Sequence, residues 1–252
     1  WLGPALGAAL LFVSACGKDP ISIPTSTHKG GSIAIDACGY SVTTREGSSE
    51  PFATRALLGV APAPFFVHLG IKGDPSTSMV VNWRTDYGTL VSQVELNAKG
   101  SATITTVDGF FFDYVADDGP QVRLHEAHLC GLTADTEYQY RVGGKAQDGT
   151  ESWSKLFTFR TAPAKTQADA ELVALLIGDT RGDSPKWKEA IEQAFAKDRP
   201  DLIIFSGDAV TFGSFQEEWE TWFTAAGELL AEVPLVTAHG NHDLNSSAFF
   251  SQ

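Results

Sequence analysis

The chain has 252 residues, 43% of them hydrophobic, which suffices for one large domain or two ordinary ones and excludes a disordered chain. Its 31 acidic residues outnumber 18 basic ones for a formal net charge of −13, with no Lys/Arg-rich block. A polyanion would be repelled by such a surface, so nucleic acid is not an expected partner.

The chain begins at Trp1, and its single Met is Met79, so the start is expected to be processed or missing. In "WLGPALGAALLFVSACGKD" the apolar run from Ala5 to Val13 is shorter than the roughly 20 residues that span a bilayer. It fits the apolar region of a signal peptide, here residues 1–16. Val13-Ser14-Ala15-Cys16 resembles the bacterial lipobox. That resemblance implies lipidation at Cys16, anchoring to a membrane, and a place in the bacterial cell envelope, at the outer membrane or cell surface. The plainer alternative is a buried N-terminal helix with a chance Cys. Export would put Cys38 and Cys130 in an oxidising compartment, where they could form a disulfide; spacing alone leaves that open.

Residues 17–57, rich in Ser, Thr, Gly and Pro, read as a tether holding one short strand. From residue 58 to 163, short alternating runs follow at regular spacing, among them "SMVVNWRT", "FFFDYVAD" and "EYQYRVGG", with Asp-Gly pairs between several of them. Period-two strands with turns every 8–12 residues predict an all-β sandwich of about 100 residues. Trp83 is placed for its core. "LTADTEYQYRV" resembles the tyrosine-corner segment of fibronectin type III domains, with Leu132 and Tyr138 in the expected roles. His125 and His128, three apart in a strand pattern, fall on opposite faces and read as ordinary histidines.

Residues 164–252 change period. "ELVALLIGD" and "DLIIFSGD" are continuous apolar runs ending in Gly-Asp, as strands buried on both faces should be. "SPKWKEAIEQAFAKD" predicts a helix with Ser184 as N-cap and Pro185 at the first helical position. Trp187, Ala190, Ile191, Ala194 and Phe195 share one of its faces. "SFQEEWETWFTAAGELLAE" predicts a second helix, with Ser214 and Glu217 spaced as a capping box. "VPLVTAHGNHD" is a third strand. The order β-α-β-α-β predicts a parallel sheet with right-handed crossovers.

Three successive parallel strands thus end in Asp179, Asp208 and Asn241, and sites in such sheets lie beyond the carboxyl ends of the strands. Two carboxylates and an amide oxygen, with His242 alongside, form a hard oxygen-rich set suited to divalent or trivalent metals. Asp183 reads as a helix-start residue and His239 as a strand-end residue.

"GDTRG", "SGDAVTFG" and "GNHD" resemble the first three motifs of the calcineurin-like metallophosphoesterases. The preceding segment, entered by "PFFVHLGIKGDPSTSMVVNWRT", resembles the fibronectin-like N-terminal domain of purple acid phosphatases. The resemblance implies a multidomain fold: a fibronectin III-like sandwich followed by the N-terminal half, β-α-β-α-β, of an α/β metallophosphoesterase domain. It implies two metal ions (Fe, Zn or Mn), with Asp179 on one, Asp208 bridging both, and Asn241 on the second. His242 would contact the phosphate and assist the leaving group. The implied activity is hydrolysis of a phosphate ester, in which paired metals activate water and clamp the oxygens of an in-line displacement.

Two positions depart from the family pattern. Thr211 stands where purple acid phosphatases carry the Tyr behind their colour, so no purple chromophore is expected. Arg181 stands where many members carry a His, and reads either as a phosphate-binding residue or as half of an ion pair. The family's later motifs, a lone His and a Gly-His-x-His, do not occur in the sequence. The chain is therefore expected to be a fragment truncated at both ends, with little activity of its own. The rival reading is a surface lipoprotein, a binding module that carries a non-catalytic phosphoesterase remnant.

Overall fold

The computed structural model describes residues 26–54, 59–244 and 246; the lipobox resemblance at Cys16 lies outside them. In chain order the strands begin with β1 (Gly31–Ile35), β2 (Tyr40–Thr44), β3 (Phe65–Gly70), β4 (Ser78–Thr85), β5 (Gln93–Ala98) and β6 (Thr105–Asp108). Next come β7 (Phe110–Val115), β8 (Gln121–Cys130), β9 (Glu137–Lys145), β10 (Glu151–Trp153) and β11 (Phe157–Arg160). The C-terminal part adds β12 (Ala174–Ile177), α1 (Ser184–Lys197), β13 (Leu202–Phe205), α2 (Gln216–Ala226) and β14 (Leu235–Thr237).

A sandwich forms as expected. One sheet runs β10-β9-β5-β6 with β11 also on β9, and it faces β3, β4 and β8 of the other sheet. Trp83 is fully buried and stacks on His125, ring centroids 5.3 Å apart. The Tyr138 hydroxyl accepts the Thr133 backbone N–H at 2.9 Å, closing the tyrosine corner. His125 is held between the Thr85 and Ser92 hydroxyls at 2.7 and 2.8 Å, a satisfied core histidine.

The second sheet does not stop at the sandwich. Its order is β12-β13-β14-β3-β4-β8-β7, so the three parallel strands continue the sandwich sheet across a single parallel pair, Leu235 beside Gly70. One face packs Val81, Trp83 and Leu129 into the sandwich core. The other packs Phe112, Tyr114 and Leu124 against Trp187, Trp219 and Trp222 of the helices. Burial on both faces explains why "FFFDYV" and "QVRLHEAHL" carry so many apolar residues for outer strands of a sandwich.

Three expectations need correction. The stretch from 31 to 54 is not a tether. β1 and β2 pair as a hairpin, Phe52 and Ser48 bridge to Phe111 and Tyr114, and Ile33, Ile35 and Val42 join the helix-side core. Cys38 and Cys130 are disulfide-bonded, Cα atoms 5.4 Å apart, which ties the turn of this hairpin to the end of β8. Second, the parallel strands are buried on one face only: Leu175, Ile177, Ile203 and Phe205 face the helices, while Leu176 on edge strand β12 is 70% exposed. Third, the helix starts shift. Asp183, not Ser184, caps α1 by accepting the Lys186 N–H at 3.2 Å, and α2 begins after Phe215 with no side-chain cap of its own, so the Ser214–Glu217 box does not form.

Candidate metal centre

The loops after β12, β13 and β14 are joined through their backbones. The Asp179 N–H donates to Gly207 O at 2.9 Å, the Thr180 N–H to Asp208 O at 3.0 Å, and the Gly213 N–H to His242 O at 3.0 Å. Both Asp179 and Asp208 adopt left-handed backbone conformations, with φ of 54° and 57°. Aspartate tolerates this region better than most residues, and such strain concentrates at functional sites. Gly240 permits the close approach of the third loop, since a Cβ there would sit 2.2 Å from the Asp208 backbone nitrogen.

Sequence reasoning missed the residue that organises this junction. Asp243 is fully buried, and its carboxylate accepts three backbone N–H groups, from Asp208 and Ala209 at 2.9 Å and from Gly240 at 2.8 Å. It fixes Asp208 and the third loop together. The only signal available was its place beside His242 in "GNHD".

Asp179 and Asp208 come together on one cation. The Arg181 guanidinium lies 3.1 Å from Asp179 Oδ1 and 3.1 Å from Asp208 Oδ2. The other Asp208 oxygen accepts the His242 backbone N–H at 2.8 Å. The His242 ring places Nδ1 3.1 Å from Thr211 O, which makes Nδ1 the donor. Asn241 is exposed on the same loop, and its side chain has no hydrogen bond among the described residues. Asp183 caps α1, and His239 bonds Leu244 O.

Residues of α2 grip both aspartate loops. The Trp222 indole N–H donates to Thr180 Oγ1 at 3.0 Å, and the Trp219 indole to Gly213 O at 2.8 Å. Glu218 accepts the backbone N–H groups of Thr211 and Phe212 at 2.5 and 3.2 Å.

Among the described residues no three His, Cys, Asp or Glu side chains gather as a metal cluster. The donors nonetheless fit a hard cation. Two carboxylates from adjacent strand ends already converge on one positive charge, and an unengaged amide lies on the neighbouring loop.

The fold and these loops place the chain among proteins that pair a sandwich with a strand-end carboxylate site. Residues 64–161 match the family model for the purple acid phosphatase N-terminal domain, and residues 172–252 match that for calcineurin-like phosphoesterases. Over these two segments the chain is similar first to the N-terminal domain of purple acid phosphatases and then to calcineurin-like phosphoesterases. It is 23% identical over 291 residues to purple acid phosphatase 15 of Arabidopsis thaliana, covering 98% of this chain and 52% of that protein. It is 24% identical to probable inactive purple acid phosphatase 1 of the same plant, covering 75% of this chain and 35% of that protein. The solved structure of purple acid phosphatase PPD1 from yellow lupin (Lupinus luteus) shares the fold, with a TM-score of 0.61 at 20% identity, over 72% of this chain and 36% of that one. The chain therefore spans between about a third and about half of the relatives it matches.

Proposed function

We propose that the protein hydrolyses phosphate esters at a dinuclear metal centre, to which this chain contributes Asp179, Asp208 and Asn241. The observation that carries the reading is the convergence of the Asp179 and Asp208 carboxylates on one cationic group at adjacent strand ends. The metals, when bound, would supply charge stabilisation and an activated water. His242, its ring oriented by Thr211 O, would present Nε2 to the phosphate or to the leaving oxygen. Arg181 would turn from the carboxylates to the phosphate, where a planar guanidinium pairs well with two oxygens. Three ligands are few for two metals, so residues 1–252 alone are expected to turn over little substrate.

We further propose that the protein is exported and held at the bacterial cell envelope through Cys16. The Cys38–Cys130 disulfide supports an oxidising compartment. The rival reading, a surface binding module with a non-catalytic remnant, draws on Arg181, which already balances both carboxylates, and on a relative named as probably inactive. Assaying the full-length protein on an aryl phosphate mono- and diester, with and without a chelator, decides between them. Chelator-sensitive turnover lost in Asp208→Asn supports the phosphoesterase; no turnover under any metal supports the module.

A further inference from the structure

We infer that the β-sandwich positions the proposed catalytic loops, acting through α2. The consequence for turnover rests on the phosphoesterase reading, whereas the geometry does not. Helix α2 lacks a side-chain cap of its own, since Phe215 occupies the capping position. The sandwich supplies one. Asp118, in the β7–β8 turn, accepts the Glu217 backbone N–H at 3.2 Å, and the Asp117 N–H donates to Ser214 O at 3.0 Å. An acceptor on an early helical N–H, with negative charge at the positive end of the helix, is what a cap provides. Behind it the Tyr114 hydroxyl of β7 bonds Gln216 Oε1, and Arg84 of β4 pairs with Glu220 at 2.9 Å.

The helix held this way is the one whose Glu218 and Trp219 hold the loop after β13, and whose Trp222 holds Thr180 beside Asp179. Sandwich, helix and site loops form one chain of hydrogen bonds. Asp118 and Tyr114 are positioning residues: neither lies in the cluster, and each sets where the helix begins. The turn itself does not demand a carboxylate, because Gly119, at φ 102°, takes the left-handed position.

The test is hydrogen–deuterium exchange on the full-length protein carrying Asp118→Ala, Asp118→Asn or Tyr114→Phe, alongside kcat and KM for an aryl phosphate. Asp118→Ala and Tyr114→Phe are expected to speed exchange at Thr211, Phe212 and Thr180 about fivefold, the loss that one cap-sized interaction predicts. Asp118→Asn, which keeps an acceptor, should stay near the parent rate. The same two faster-exchanging variants should lower kcat while leaving KM within about twofold. Loops exchanging at the parent rate in both variants would overturn the inference. So would acceleration confined to residues 214–217, which is simple fraying of the helix end. If even the parent protein hydrolyses nothing, the exchange data still decide the positioning role, and only the phosphoesterase reading falls.

Discussion

Replacing Asp243 by Asn tests the architecture of the site at nearly constant shape. The native carboxylate accepts two N–H groups on Oδ2, from Asp208 and Gly240, and one on Oδ1, from Ala209, all at 2.8–2.9 Å. Asparagine keeps one acceptor oxygen. If it serves Asp208 and Gly240, its amide group must face the Ala209 N–H, donor against donor, so one charge-assisted bond is lost and a buried N–H is left unmade. Such a bond contributes about 1.5–3 kcal/mol, and the remaining two weaken once the acceptor is neutral. The expected loss is about 3 kcal/mol, which for a chain of this size lowers Tm by roughly 6–12 °C. Asp243→Ala leaves three N–H groups unmet and should cost more, about 5 kcal/mol. Chemical denaturation gives the number directly, with Asn241→Ala, an exposed change on the same loop, as a control expected within about 0.5 kcal/mol of the parent. A loss for Asp243→Asn below about 0.5 kcal/mol would refute the reasoning, because it would mean that the three N–H groups find other partners easily.

Burial holds His68 at a pKa of about 4 and His125 at about 3, so both are neutral when folded. The unfolded chain takes up protons below about 6.5, so the stability these histidines lend is present above that pH and fades as pH falls towards the folded values, by about 2 kcal/mol each at pH 5. The fall measured between pH 7 and pH 5 should shrink by about that amount in His68→Gln. Reducing the Cys38–Cys130 bond, which closes a 92-residue separation, should destabilise the protein by about 4 kcal/mol in denaturant titrations. Arg181→Ala should tighten Mn²⁺ binding about fivefold in a calorimetric titration, because guanidinium and metal compete for the same two carboxylates and each partly exposed pair contributes about 0.5 kcal/mol. An unchanged Kd would mean that Arg181 leaves the carboxylates without cost.

The sandwich, the order of the parallel strands and the placing of Asp179 and Asp208 at strand ends were legible because each rests on local periodicity and on turn residues. Tertiary choices were not. The hairpin of β1 and β2 looked like a tether because its strands are five residues long and polar on one side, and the partner that fixes it, Cys130, lies 92 residues away. The helix caps moved for a similar reason. Ser184 and Ser214 have the right chemistry, yet Asp183 offered α1 a carboxylate one residue earlier, and the cap of α2 came from Asp118 in another element. A sharper reading was available in "FFFDYV". Apolar residues at consecutive positions cannot all face a single sandwich core, so they announced a second layer, and the aromatic faces of the two helices were the candidates to supply it.

The four residues of "GNHD" show how one short motif divides its work. Asn241 and His242 offer the groups that the proposed chemistry would use, one exposed amide and one imidazole oriented by a carbonyl. Gly240 and Asp243 offer none, since a side chain on the first would strike Asp208 and the second is sealed from solvent. They hold the loop against the backbone of Asp208, whose own carboxylate reaches back to the His242 N–H at 2.8 Å. The contact is reciprocal: each loop's acidic side chain caps the other's backbone. A reciprocal pair cannot shift by one residue without breaking both halves, so the spacing from Asp208 to His242 in space is set by the loops themselves. The geometry between the Asp208 carboxylate and the His242 imidazole therefore does not depend on a bound metal to form, and a chelated sample should keep it.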